Sequence, residues 1–309
     1  MNVFFIGLTN GGVYGLVALG YTLVYGILSL INFAHGDVFA LSGLVAFSFL
    51  DVLGVTADMA LLPTLALLLV CLLMTMPLFA AGNALIELVA YRRLRNAPRL
   101  APLITAIGMS FIVQNVGLAV YGVEFYGQTD LLPRTNVFDA GGVALQWNKL
   151  IVLLLVVPLL VVLTWFVRTT RQGRGMRATA QDREAAAMMG INVNRTISVT
   201  FALAGALAAA AALLFLLQFN MRYDTGFQLG LIAFTAAVLG GIGNLTGAVL
   251  GALLIGLIEA FNEGLRWAHP LDSLGAPSDW TRAVIFAVLI LILVFRPEGL
   301  LGERTPEGA

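Results

Sequence analysis

An all-α bundle of about eight or nine membrane-spanning helices is the fold class predicted by this 309-residue sequence, and three observations predict it. Hydrophobic residues make up 60% of the chain and charged residues 11%, with a mean hydropathy of +0.93; an average soluble domain is about 25% charged. The apolar residues fall in runs near the ~20 that a helix needs to cross a bilayer. Positive charge is unevenly placed. No Lys or Arg precedes Arg92; basic residues then gather as Arg92, Arg93, Arg95 and Arg99, as six arginines from Arg168 to Arg195, and as Arg296 and Arg304. Because Lys and Arg collect on cytoplasmic loops, these three clusters orient the chain, with an outward N-terminus and a cytoplasmic C-terminus. The runs count to nine crossings, or eight if one short pair folds differently, and the odd count matches those termini. The start, MNVFFIGLTNGG, lacks the basic region of a cleaved signal peptide. The whole of 1–309 reads as one transmembrane domain.

In chain order, the first span runs from about Val3 to Leu30 and carries Gly7, Gly11, Gly12, Gly15, Gly20 and Gly26. Small residues at these spacings let helices approach closely in lipid, so this is an inner helix. It ends at Ile31-Asn-Phe-Ala-His-Gly-Asp37. The second span is about Val38 to Leu53 and the third about Leu61 to Ala81, with Pro77 inside it and helix continuing through Glu87 toward the arginines. Leu100 to Gly122 is the fourth, with Gln114 and Asn115 placed as buried polar residues in its second half. Val123 to Trp147, with Pro133, Gly141 and Gly142, is the largest outer loop and a candidate docking surface. The fifth span, about Leu150 to Val167, leads to the central arginine loop, and the sixth, Thr196 to Leu217, is alanine-rich and packs tightly. Phe227 to Gly243 and Gly247 to Gly264 are short spans joined by Gly240-Gly-Ile-Gly-Asn-Leu-Thr-Gly247, which leaves room for re-entrant or broken helices. The last span is Trp280 to Phe295.

The loop 168–195 is the longest strongly polar run. Between Gly175 and Gly190 nothing breaks a helix, and Gly190 is placed to end it. The helix offers a thin apolar stripe of Met176, Ala180, Ala187 and Ile191, too narrow for a lipid surface. Two readings stand: a solvated loop that serves topology, or a helix made for a groove in another protein.

No catalytic constellation emerges. There are two histidines, His35 and His269, with no helix-spaced partner for a metal site. The single lysine, Lys149, excludes a phosphate-cradling GxxxxGK[ST] loop. Polar residues inside apolar spans are the functional clue, since each costs free energy unless it faces protein or a water path. Asn32, His35 and Asp37 are the densest group. They either line or gate a path at a helix break, or form a turn in which Asn32 caps a helix and Asp37 complements its dipole. Gln114 and Asn115 either contact a substrate or bond across helices. Glu259, Asn262, Glu263 and Arg266 share one helical face, as a mouth or as a solvated helix end. Ile242-Gly-Asn-Leu-Thr-Gly echoes Ile31-Asn-Phe-Ala-His-Gly, and corresponding breaks in two halves point to a central path, which adds Asn244 to the candidates.

The stretches INFAHGD (31–37), LAPLITAIG (100–108), RATAQDREAAAMMGI (177–191), AVLGGIGNLTGAVLGALLIGLIE (237–259) and FRPEGLLG (295–302) span almost the whole chain. With them the sequence resembles the LivH-type permease subunits of bacterial branched-chain amino acid ABC importers. The resemblance implies a fold similar to the ribose and vitamin B12 importer permease group. It implies no enzyme activity and no cofactor on this chain, with ATP and Mg bound by partner ATPases. It also implies a LivM-like second permease, two ABC ATPase subunits, a periplasmic binding protein, a branched-chain amino acid substrate and a multi-pass place in the bacterial inner membrane, with no nucleic acid. The central loop is similar in role to the EAA loop of importers, whose helix seats in a groove of the ATPase. Glu184-Ala-Ala and Gly190 keep its core, while the I-x-L-P tail is missing. Arg177, Gln181, Asp182, Glu184, Ala185 and Gly190 are the expected coupling residues, and Asn32, His35, Asp37, Gln114, Asn115 and Asn244 the candidates for the path.

Two alternatives remain. Urea or short-amide import is the nearest, against which stands the added N-terminal region that urea-type relatives carry. A self-sufficient channel or secondary transporter is the other; it needs ion-coupling carboxylates deep in the membrane, and the acids here sit mostly near span ends.

Overall fold

The computed structural model describes residues 2–28, 30–95, 97–98, 100–140, 143–264 and 277–302. Arg99, Gly141, Gly142, Arg266, His269 and Arg304 lie outside them. The protein is a multi-pass helical membrane protein. In chain order it comprises α1 (Asn2–Leu28), α2 (Ala34–Val52), α3 (Leu61–Ile86), α4 (Leu100–Tyr121), β1 (Asn136–Ala140), β2 (Val143–Gln146), α5 (Trp147–Thr169), α6 (Arg171–Gln181), α7 (Arg183–Met188), α8 (Val193–Leu216), α9 (Thr225–Gly240), α10 (Leu245–Gly264) and α11 (Pro277–Phe295). Seven of these are long and apolar enough to cross a membrane: α1, α2, α3, α4, α5, α8 and α10. Among the described residues α9 and α11 add two shorter apolar helices.

The helices differ in how much of them the bundle covers. The most apolar stretches of α1 and α8 are 72% and 78% buried, that of α3 only 17%. α1 lies along α10 with backbones touching: a Cβ added at Gly11 would sit 2.7 Å from Leu253 Cα, and one at Gly256 would strike Gly11 itself. In lipid, where apolar surface gains nothing from association, such close approach supplies the dispersion contacts that hold helices together. α8 packs on α3 in the same manner, with Gly205 against the Phe79 carbonyl and Asn83 Nδ2 donating to Phe201 O at 2.7 Å.

Five expectations are revised by the structure. α2 starts at Ala34 and not near Val38, which puts His35 and Asp37 inside its first turn. Asn32 does not cap it, since Phe33 holds the cap position without a side-chain bond. His35 stands against Gly20 of α1, roughly 12 Å of helix before that helix ends, at 1.5 Å per residue. The chain therefore turns back along α1 before α2 begins partway up the bundle.

The central loop is likewise two helices. Asp182 adopts an extended conformation (φ −152°, ψ 117°) and its Oδ1 accepts from the N–H of Glu184 and Ala185 at 2.8 and 3.0 Å. An Asp at this point satisfies N–H groups that would otherwise begin α7 unpaired, so the helix breaks and restarts there. α6 starts earlier than expected, capped by Thr170, and Gly190 ends the α7 turn at φ +81°. Lastly, the large loop after α4 is partly ordered as an antiparallel β1–β2 hairpin, and Tyr126 pairs with Met221 in a further bridge.

The breaks between α9 and α10 are sealed by the C-terminal segment. Gly241 and Gly243 have φ of +103° and +95°. Leu300 and Leu301 donate to the last carbonyls of α9, Leu239 at 2.8 Å and Gly240 at 3.0 Å. FRPEGLLG is thus a cap for a helix end whose carbonyls have no partner of their own.

Candidate functional site

Where α2 begins, α4 and the start of α9 leave a cleft of about 400 Å³ between them, lined by Phe33, Ile107, Ser110, Phe111, Gln114, Asp224, Phe227 and Gln228. Positions 107, 110, 111 and 114 recur at helical spacing, so α4 turns one face to it. Beneath Ser110 and Gln114 of this lining lies Asp37, a buried carboxylate on the first turn of α2. Gln114 Nε2 donates to its Oδ1 at 2.9 Å and the Ser110 hydroxyl donates to its Oδ2. Both oxygens are thereby satisfied by neutral donors, as a buried carboxylate requires. Close backbone packing brings α2 and α9 together here, for Gly36 meets the Gly226 carbonyl.

On the far lip, Arg222 grips Asp224 through Nε and Nη2 at 2.7 and 2.5 Å. The Arg222 guanidinium also lies 4.9 Å from the centre of the Phe125 ring. Its hydrogen bonds hold the Asp224 carboxyl below the usual carboxylate range. Gln228 accepts from Arg282 Nη2 at 2.7 Å, which ties α9 to α11. The cleft thus combines three phenylalanines with a polar floor and a paired-charge lip, an arrangement that takes a small solute with one apolar and one polar end.

Of the six path candidates, the structure brings two together, Asp37 and Gln114. Asn32 is buried off the cleft, its Oδ1 accepting from the Tyr91 hydroxyl at 2.7 Å. His35 is fully buried and meets Tyr21 edge to face, ring centres 4.8 Å apart. Asn115 is not buried as expected; it faces outward, with Nδ2 bonded back to Phe111 O at 2.8 Å. Asn244 caps α10 through Gly247 N–H and donates to Leu301 O at 2.8 Å, far from the cleft in the fold. The Glu259 face is no simple solvated end, because Glu259 accepts from the Tyr14 hydroxyl at 2.7 Å. Ser110, Phe111, Asp224, Phe227 and Gln228 were not expected. Ser110 had a signal: it precedes Gln114 by one helical turn.

In the central loop, Arg183 donates to the last-turn carbonyl of α1, Ile27 O, at 2.8 Å, and Arg177 to Val167 O. Arg177 is exposed, as are Gln181, Asp182, Glu184 and Gly190, while Ala185 is half-buried. The tip also presents Met188 and Met189, 82% and 83% exposed, which the expected apolar stripe did not contain.

Residues 3–293 match the family described as branched-chain amino acid transport system / permease component. The chain is 40% identical over 306 residues to the high-affinity branched-chain amino acid transport system permease protein BraD of Pseudomonas aeruginosa, covering 97% of this chain and 95% of that one. It is 37% identical over 314 residues to the corresponding LivH protein of Escherichia coli K12, with 98% and 96% covered. To a probable branched-chain amino acid transport permease protein LivH of Methanocaldococcus jannaschii it is 24% identical over 295 residues, with 93% and 88% covered.

Proposed function

We propose that this chain, which belongs to the branched-chain amino acid transport permease family, carries leucine, isoleucine and valine inward as the membrane subunit of an ATP-driven importer. The observation that carries the reading is the cleft, in which Phe33, Phe111 and Phe227 face a polar floor of Ser110 and Gln114 over Asp37. Apolar walls suit a branched side chain, and the polar groups suit the ammonium and carboxylate of a zwitterion. Asp37 and Gln114 belong to this path. Asn32 and His35 act beside it by setting where α2 begins.

The loop 168–195 is the coupling segment. Its exposed tip, with Glu184, Met188, Met189 and Gly190, docks in a groove of an ATPase subunit. Exposed methionines favour that role, being adaptable apolar contacts. The partners are a LivM-like permease, two ATPases that bind ATP and Mg, and a periplasmic binding protein. The protein resides in the bacterial inner membrane with its N-terminus in the periplasm and its C-terminus in the cytoplasm. In support, the arginine clusters share one end of the bundle: Arg95 reaches Asn194, Arg183 reaches Ile27, and Arg168 reaches Thr246 beside the C-terminal segment.

The test is uptake of radiolabelled leucine into vesicles holding the whole assembly, with and without internal ATP. ATP-dependent leucine uptake that valine competes away and urea does not is expected. A chain that moves leucine alone without ATP would overturn the reading.

A further inference from the structure

Glu87, at the arginine end of α3, has a fully buried carboxylate. Helix α3 does not end at Ile86 but widens into a π turn over Glu87–Tyr91, closed by Arg92 N–H donating to Glu87 O, and then tightens to a 3₁₀ turn over Arg92–Leu94. Single π turns are costly interruptions that occur mostly where a helix must aim particular side chains. This one buries Glu87, Ala90 and Tyr91, the first and last of which carry polar groups inward.

The Glu87 carboxylate is clamped from both sides. Arg95 Nη2 donates to Oε1, and Arg92 Nη2 approaches Oε2 at 3.3 Å. Ser198 Oγ donates to Oε2 at 2.6 Å and accepts from Arg92 Nη2 at 2.8 Å. Arg95 Nη1 also donates to Asn194 Oδ1 at 2.6 Å. Asn194 and Ser198 occupy the first turns of α8, immediately after the 182–192 segment, so the clamp grips the chain at the exit of that loop. Burial lowers the Arg95 pKa from its ordinary value even though Glu87 opposes the shift. A buried pair of this kind adds little net stability over apolar packing, whereas losing one partner is expensive. Its use is to hold elements in register.

Four residues on, Tyr91 donates to Asn32 Oδ1 at 2.7 Å. Asn32 Nδ2 is buried without a partner among the described residues, so this hydroxyl is the side chain's hold on the bundle. Asn32 immediately precedes Phe33, which lines the cleft, and its carbonyl receives His35 N–H at 3.1 Å as α2 begins. Hydrogen bonds from Asn194 and Ser198 to Glu87, the backbone of the π turn from Glu87 to Tyr91, and the Tyr91–Asn32 bond beside Phe33 therefore connect the loop exit to the wall of the cleft.

We infer that Glu87 is a positioning residue that transmits movement of the loop after α6 to the start of α2, through Tyr91 and Asn32, and so links ATPase closure to the shape of the cleft. This rests on the coupling role given to the loop above. The quantity that tests it is the coupling itself, leucine moved per ATP hydrolysed.

The experiment measures leucine uptake and ATP hydrolysis together in vesicles containing the whole assembly. Glu87→Gln is expected to keep the subunits together and ATP hydrolysis near wild type, while leucine moved per ATP falls about ten-fold. Tyr91→Phe, which removes one oxygen and keeps the ring on Phe201, is expected to lower the same ratio with no change in assembly. The double variant should be no worse than Glu87→Gln, because both act in one chain of contacts. A wild-type ratio in Tyr91→Phe, or a double variant whose loss is the product of the two single losses, overturns the inference. So does an assembly that falls apart in Glu87→Gln while Tyr91→Phe stays wild type. Wild-type uptake indifferent to ATP would instead sink the importer reading, so the two failures are told apart.

Discussion

At the scale of single residues, neighbours on one helix have unlike roles. Gln114 lines the cleft and holds Asp37 beneath it, while Asn115 turns away and bonds to its own helix. Gln114→Leu leaves a buried carboxylate oxygen without its donor, a loss of about 1–3 kcal/mol. Leucine uptake should drop several-fold or more, and Asn115→Ala should behave as wild type in the same vesicles. The sequence singled out both residues and could not separate them, because burial depends on which helix face meets α2. Gly190 is different again. A Cβ there meets nothing within 4 Å, yet its φ is +81°. Gly190→Val should therefore cost about 1–3 kcal/mol of local strain, while Gly190→Asn, whose side chain tolerates that region, should retain far more ATP-driven uptake. For Asp224 the sign runs as for any depressed carboxyl. Its pairing with Arg222 contributes stability above the ordinary aspartate pKa of ~3.9 and loses it as pH falls through the lower value. Thermal unfolding of wild type against Asp224→Asn should show a gap that is constant from neutral to mildly acidic pH and closes only in strong acid.

At the scale of elements, backbone contact between helices is the controlling feature. Gly256→Leu places a side chain where Gly11 already stands, and neither backbone has room to give. Overpacking costs about 1–3 kcal/mol where neighbours shift and more where they cannot, so the variant should lose most of its folded yield in detergent. Gly82→Leu, with open space around its Cβ, is the control and should express normally. The sequence made the glycine-rich character of α1 plain, and with it the helix's inner place. It did not disclose that α10 is the partner, since small residues state that something approaches closely and not what. The Asp182 break was legible in principle from its capping chemistry, but alanines on both sides favoured one continuous helix. Asp182→Ala should cost ~1 kcal/mol of α7 and reduce leucine uptake, with Asp182→Ser restoring it.

At the scale of the whole molecule, thiol labelling reads the orientation of the bundle. Cys71 is buried, so single cysteines at Phe138 and Met188 will report their own sides. In intact cells an impermeant maleimide should reach Phe138→Cys, and Met188→Cys only after the inner membrane is opened; the reverse pattern would invert the topology. The sequence by itself determined that the chain is a helical membrane bundle, that α1 is an inner helix and α8 a tightly packed one, and where polar loops fall. Those properties are written in composition, in run length and in small-residue spacing, all local along the chain. Only the tertiary structure decided that Asp37, Ser110 and Gln114 meet, that Asn32 is held by Tyr91, and that Asn244 serves a cap. Each of those depends on helices far apart in sequence coming to lie side by side. Such pairings are set by the packing of whole helix faces, which no stretch of the chain carries alone.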